Sequence, residues 1–257
     1  MSTTRVVRNI AEKLLPERVR VHLQAYDHLW HGEPELALLK RVCPPQRTAV
    51  DVGANIGTYT YFLRRLAARV HAYEPNPELA ARLKRLYPDV VVRNVALSDR
   101  RAEVVLHVPA GEGRDQHELG SIAQSFDVEG HAYKVEAVTL DSEGLQDVGF
   151  LKIDVEQHER QVLRGALETI KTSRPAILSE VYPLLYEERV DRVFSFVTDL
   201  RYRGWFGFAG RFLPFEKFDP AVHANPANWG KPNAFMSTNV FFFPVENPLA
   251  NSGPSGS

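Results

Sequence analysis

The chain has 257 residues, 44% hydrophobic and 25% charged, with 16 glycines and 17 prolines. These proportions are those of a soluble globular protein and exclude collagen-like, low-complexity and disordered chains. The formal charge of −1 supplies no overall positive field, so nucleic acid is not the expected partner. The one cysteine, Cys43, excludes an internal disulfide, and no C-x-x-C pair suggests a zinc ribbon or redox couple. No apolar run approaches ~18 residues, and the N-terminus lacks an apolar signal core. The expectation is a cytoplasmic protein without stable membrane insertion. The charge is unevenly spread: residues 60–101 hold nine Lys/Arg against four Asp/Glu, and residues 102–191 eight against eighteen.

In chain order, residues 1–45 read as an N-terminal helical lead-in. Apolar residues recur three and four apart over Ala11–Leu15 and Val19–Leu23, and Pro16 breaks the two pieces. Pro44 and Pro45 mark the boundary. Thr48–Val52 is a short apolar run ending in glycine, the pattern of a buried strand. A helix follows from Gly57 to Ala68, a second strand over Val70–Glu74, a helix from Pro77 to Tyr87, and a third strand over Val90–Val92. This alternation predicts right-handed βαβ units and a parallel sheet. Residues 102–140 interrupt it as a hairpin-like insertion, with strands Glu103–Val108 and Tyr133–Val138 around a long polar loop at 109–132. The alternation resumes with strand Phe150–Asp154, helix Glu159–Ile170, strand Ala176–Glu180 and helix Val190–Tyr202. Two late strands, Phe206–Phe208 and Val240–Phe243, are placed as an antiparallel pair at the sheet edge, and 247–257 as a disordered tail.

The sharpest chemical feature is Asp51-Val-Gly53-Ala-Asn55-Ile-Gly57-Thr58, a strand-to-helix turn of order D-x-G-x-N-x-G. Glycines there allow a tight turn and close approach of backbone to a ligand, though small residues also simply pack such turns. Glu74 ends the second strand 23 residues after Asp51, close to the ~20-residue spacing at which a carboxylate meets ribose hydroxyls. There is no G-K-[ST], and Asn55 stands where a pyrophosphate turn would place another glycine. A nucleoside without phosphates fits better, and S-adenosylmethionine is such a ligand.

These stretches resemble the FkbM family of S-adenosylmethionine-dependent methyltransferases. The similarity is carried by Val50–Thr58, Tyr73-Glu-Pro75, Asn94–Asp99, Leu151–Glu156 and Arg174–Glu180, in family order, with Asn239–Pro244 resembling the closing strand. It implies a Rossmann-like class I methyltransferase domain over 46–246. Its sheet would be mostly parallel and seven-stranded, with helices on both faces. By the same resemblance Asp51, Gly53, Asn55, Gly57 and Thr58 surround the methionine part, Glu74 holds the ribose, and Asn94, Ala96 and Ser98 border the adenine. One position departs: the family usually has glycine after Lys-Ile-Asp-Val-Glu, and this chain has Gln157. If that position needs φ > 0, glutamine costs on the order of 1 kcal/mol.

The implied reaction is transfer of a methyl group to a hydroxyl of a sugar, glycolipid or natural product. The protein must align the acceptor and take its proton. Candidate bases are Asp154, Glu156, His158 and Glu180, at or just beyond the carboxyl ends of the fourth and fifth strands. No metal is expected. Other readings stay open: a nicotinamide-dependent oxidoreductase, or a non-catalytic cofactor-binding protein. Residues 109–132 and 209–238, including a possible lid at 225–230, are expected to decide the acceptor. The acidic second half favours a neutral or cationic acceptor over a phosphorylated one.

Overall fold

The computed structural model describes residues 15–32, 34–109, 130–180, 190–208, 211–223 and 239–254. The chain divides into two compact units, Met1–Ala37 and Leu38–Ser257. The boundary therefore falls before the expected position 45. The reason is helix α2, Leu39–Val42, whose Leu39 and Val42 are buried and belong to the larger unit.

In the first unit, helix α1 spans Glu17–Asp27 and starts directly after Pro16, which supplies the break the sequence suggested. A π-helical turn continues over His28–Gly32. His22, Tyr26 and Trp30 lie along one stripe, with ring centroids 4.7 and 6.4 Å apart.

The second unit is a Rossmann-like α/β fold. Strands β1 (Thr48–Val52), β2 (Arg69–Tyr73) and β3 (Val91–Arg93) alternate with helices α3 (Thr58–Leu63) and α4 (Pro77–Leu86). Then come β4 (Ala96–Leu97), β5 (Ala102–Pro109), β6 (Gly130–Val138) and β7 (Val148–Ile153). Helices α5 (Glu159–Gly165) and α6 (Leu167–Ser173), strand β8 (Ala176–Glu180) and helix α7 (Val190–Asp199) follow. Strands β9 (Tyr202–Phe208), β10 (Arg211–Pro214) and β11 (Asn239–Pro244) close the sheet. Its order is β10-β9-β11-β8-β7-β1-β2-β3. The five strands β3, β2, β1, β7 and β8 pair in parallel. Every residue of β7 is buried, as a strand covered on both faces requires. The core joins Val50, Leu151, Ile153, Val162, Ile177, Phe194 and Phe242.

Four expectations are corrected. The main sheet has eight described strands, not seven. Strand β11 is not at an edge; it lies between β9 and β8, antiparallel to both, and β10 adds a further strand. The insertion is a hairpin as expected: β5 and β6 pair antiparallel and, with β4, form a separate three-stranded sheet with its own small core. The helix expected over 159–170 is broken at Ala166, because the distant Asp141 carboxylate accepts from the Glu168 and Thr169 amides and starts a new helix there. The tail is folded through residue 254. Leu249–Ser252 forms a helical turn, Ala250 is buried, and Trp205 Nε1 donates to its carbonyl at 3.2 Å. The expected long loop and lid fall largely on 110–129 and 224–238, outside the described residues. Among the described residues no helix is long and apolar enough to cross a membrane.

Strand register sets up the site. Val52 lies opposite Tyr73 on one side and Ile153 on the other, and Ile153 lies opposite Ser179. The next residue on each strand is therefore at one level on the carboxyl edge: Glu74, Gly53, Asp154 and Glu180. Two-residue alternation puts Asp51, Lys152 and Asp154 on the same face.

Candidate active site

The turn after β1 is built from left-handed residues. Gly53, Asn55 and Gly57 have φ of +74°, +52° and +92°. The two glycines serve close approach of the chain to itself. A Cβ on Gly53 would lie 1.8 Å from the Asp154 carbonyl oxygen, and one on Gly57 would lie 2.5 Å from Leu83 Cδ2. Asp51 is buried beneath the turn and accepts from Thr60 Oγ1 at 2.5 Å.

Glu74 anchors the turn from the next strand. It is buried; Oε2 accepts from the Asn55 amide at 2.7 Å and Oε1 from the Asn76 amide at 2.8 Å. Its two oxygens thus determine the path of both the β1 and the β2 turns. Each oxygen keeps a second lone pair for a donor such as a ribose hydroxyl. Asn94 supports this arrangement from below. Its side-chain amide donates to the Glu74 and Pro75 carbonyls, both at 2.9 Å, so it positions the Glu74 turn.

The charges converge on one buried lysine. Lys152 is 1% exposed, with Nζ 3.4 Å from Asp154 Oδ2 and 4.6 Å from the centre of the Tyr59 ring. Burial pushes the Asp51 carboxyl up to about 6 and Glu74 up to about 7, with neighbouring carboxylates adding to both and hydrogen bonds opposing. Burial, then the nearby Asp154 charge, raises Glu156 to about 7, while Lys152 opposes. Five acidic side chains, Asp51, Glu74, Asp154, Glu156 and Glu159, act on one another here. Such a set favours a ligand that brings positive charge or hydroxyl donors. Among the described residues, no group of three or more His, Cys, Asp or Glu is arranged to hold a metal ion.

The loop leaving β7 carries the remaining acids. Glu156 and Gln157 are consecutive left-handed residues, with φ of +50° and +75°. The glutamine at the family's glycine position does adopt the conformation that glycine favours, at a cost of roughly 1–2 kcal/mol.

The family profile described as Methyltransferase FkbM domain matches residues 51–204, more than half of the chain. The chain belongs to the FkbM methyltransferase family. The AMB antimetabolite synthetase AmbE of Pseudomonas aeruginosa is 29% identical over 182 residues, which are 55% of this chain and 9% of the synthetase. A solved FkbM methyltransferase from Methylobacillus flagellatus is 15% identical with a TM-score of 0.48, over 93% of this chain and 60% of that one. An O-methyltransferase from Bacillus cereus in complex with SAH is 12% identical with a TM-score of 0.41, over 93% of this chain and 96% of that one. The chain thus spans under two thirds of the synthetase and of the FkbM structure.

Several predicted site residues of this FkbM family member fall together, and others do not. Asp51, Gly53, Asn55, Gly57 and Glu74 form one turn region, with Thr58 opening α3 beside it. Asp154 and Glu156 face it from β7. Glu180 ends β8 at the same level, one strand further, and Asn239 of β11 lies opposite it. His158, a candidate base, is the N-cap residue of α5, beside Ser98. Its Nε2 lies 3.0 Å from Ser98 Oγ, the charges that act on it are those of Asp99 and Arg100, and burial lowers its pKa. Ser98 is therefore the histidine's partner. Ala96 packs inside the small sheet with Leu106, Val108, Val135 and Ala137. Lys152, Thr60 and Glu159 were given no role from sequence. A lysine within an otherwise apolar strand was the available signal, because a buried ammonium requires an ion partner.

Proposed function

We propose that the protein is an S-adenosylmethionine-dependent O-methyltransferase acting on a hydroxylated small molecule. The observation that carries this reading is the row of Glu74, Gly53 and Asp154 along the carboxyl edge, with buried Asp51 and Lys152 beneath it. The donor set suits that cofactor. Glu74 offers free lone pairs to a ribose diol, and the clustered carboxyls, held partly protonated by burial, favour a cationic group. Asp51, Asn55 and Thr58 would hold the methionine end and Glu74 the ribose. When bound, the cofactor supplies an electrophilic methyl group on a positively charged sulfur.

The chain's own residues do the rest. Lys152 Nζ lies 3.4 Å from Asp154 Oδ2 and orients that carboxylate beside the turn. Glu156 is the general base of this reading. It is half-buried, and its pKa of about 7 lies near the operating pH, where a base is most effective. It accepts the acceptor's hydroxyl proton through a carboxylate oxygen. Methyl transfer should rise with pH through about 7 as Glu156 loses its proton.

The acceptor class rests on charge and on one relative. A crowd of carboxyls disfavours phosphorylated acceptors and nucleic acid. The related segment lies in a protein named as an antimetabolite synthetase, which supports a natural product or sugar rather than a polymer. A cytoplasmic setting goes with this reading.

Calorimetric titration with S-adenosylmethionine and S-adenosylhomocysteine tests the cofactor, and tritiated methyl transfer into a small-molecule extract tests the reaction. Binding weakened at least about tenfold in Glu74→Ala is expected. No binding by the wild type, or undiminished binding by the variant, overturns the proposal.

A further inference from the structure

Glu159 is 1% exposed, yet it is the first residue of α5, where a glutamate ordinarily points to water. Its side chain turns back on the preceding loop. Oε1 accepts from the Gln157 amide at 3.2 Å and from the Val155 amide at 3.4 Å. Those two amides bracket Glu156. The segment they hold contains two consecutive non-glycine residues at positive φ. The other oxygen, Oε2, is buried and has no hydrogen-bond partner among the described residues. A buried carboxyl with one oxygen unpartnered is costly to the fold. Of the amides it binds, only its own belongs to α5, and those of Val155 and Gln157 lie in the loop before the helix.

We infer that Glu159 is a positioning residue: its carboxyl clamps the Val155–Gln157 loop in the left-handed shape that presents Glu156 to the acceptor, and so does the work that a glycine at 157 would do by conformational freedom. The loop has only a few ways to place Glu156 beside Asp154 and Lys152. Alternation along the strand alone would send consecutive residues 154 and 155 to opposite faces. The reversal at 156 and 157 returns the chain to the level of the carboxyl edge. An L-residue resists that shape, and the clamp supplies what holds it there. Glu159 touches neither reactant in this account; it acts through Glu156. The catalytic half of the inference rests on the function proposed above, and the structural half does not.

Three variants test it: Glu159→Ala, Glu159→Gln and the double variant Gln157→Gly/Glu159→Ala. Hydrogen exchange is followed at the Val155 and Gln157 amides, with Leu163 in the same helix as a control. Calorimetry with S-adenosylhomocysteine follows the cofactor turn, and tritiated methyl transfer follows turnover. Glu159→Ala should speed exchange at Val155 and Gln157 by about tenfold or more while Leu163 stays protected. It should lower turnover by about tenfold or more with the S-adenosylhomocysteine Kd within about threefold. Glutamine keeps an acceptor oxygen, so Glu159→Gln should retain slow exchange and most of the turnover. Glycine at 157 should restore turnover to the alanine variant by about fivefold or more. Unchanged exchange at both amides in Glu159→Ala, or no recovery from the added glycine, overturns the inference. Where Glu159→Ala fails to fold, the double variant is expected to fold, and its failure overturns the inference as well. A wild type that transfers no methyl group defeats the proposed function, and the exchange result still decides the clamp.

Discussion

Gly53→Ala tests the geometry on which the site depends. An alanine Cβ at 53 would sit 1.8 Å from the Asp154 carbonyl oxygen and 2.9 Å from its carbon. Carbon–oxygen contacts closer than about 3.3 Å are rare, so one chain must retreat by about 1.5 Å. Neither chain is free to do so. Asp154 N–H donates to the Val52 carbonyl at 3.0 Å, and Gly53 N–H donates to Tyr73 at 2.9 Å. Separation sacrifices one or both, at about 0.5–1.5 kcal/mol each. Alanine at φ +74° adds roughly 1–2 kcal/mol. The expected loss is about 3–4 kcal/mol in urea unfolding, with the S-adenosylhomocysteine Kd raised about thirtyfold or more, because Asn55 and Glu74 lose their mutual register. Gly144→Ala is the control. Its φ is +63°, and nothing lies within 4 Å of the added Cβ, so it carries the conformational cost alone. A difference between the two variants below about 1 kcal/mol would refute the close approach of β1 and β7 at this point.

Two further predictions concern charge. Asp51 at about 6, Glu74 and Glu156 at about 7 and Glu159 at about 8 all lie above their unfolded values through burial. Raised carboxyl pKa values give stability that is complete below about pH 4 and is lost as pH rises through the folded values, so the ligand-free protein should melt several degrees lower at pH 8.5 than at pH 5.5; a flat or rising melting temperature across that window contradicts the burial of these groups. Lys152→Met removes the cation that opposes the rise of Asp51 and Glu156 and leaves Asp154 without its ion partner. It should cost about 3–5 kcal/mol of stability and shift the pH midpoint of methyl transfer upward by about one unit; an unmoved midpoint would mean that the base lies elsewhere.

Elements that depend on local pattern were readable in the sequence. Thr48–Val52, Phe150–Asp154 and Ala176–Glu180 were legible because a strand buried on both faces is a continuous apolar run, and the structure places strands within one or two residues of each. The turn at 51–58 and Glu74 were legible because spacing alone puts them at adjoining strand ends. What was missed depends on partners distant in sequence. The break at Ala166 is imposed by Asp141, 27 and 28 residues before the amides it binds. The Ser98–His158 pair joins positions 60 residues apart, so His158 read as a free base. Strand β10, Arg211–Pro214, is four residues long and pairs only with β9, too short to show alternation. Glu159 was legible as the start of a helix in the acidic half, but no sequence pattern shows its side chain folding back on the preceding loop.

The neutral total of the chain conceals where its acids are placed. Five carboxyls interact at the carboxyl edge, and three of them, Asp51, Asp154 and Glu156, act on one buried lysine; a well-packed apolar substitute for such a buried ionic group is often as stable or more so. Their placement is therefore better explained by a ligand than by stability. In the ligand-free protein burial favours the protonated forms of Asp51, Glu74, Glu156 and Glu159, so the pocket holds protons in place of a bound cation. A cationic ligand displaces those protons and ionises the cluster, which leaves Glu156 able to accept one. On the proposed function, Glu156 would take the acceptor's hydroxyl proton, and the cluster would then move back toward the protonation state that the empty site prefers. The same desolvation that weakens the fold at high pH thus favours uptake of positive charge and its loss after the proton is transferred.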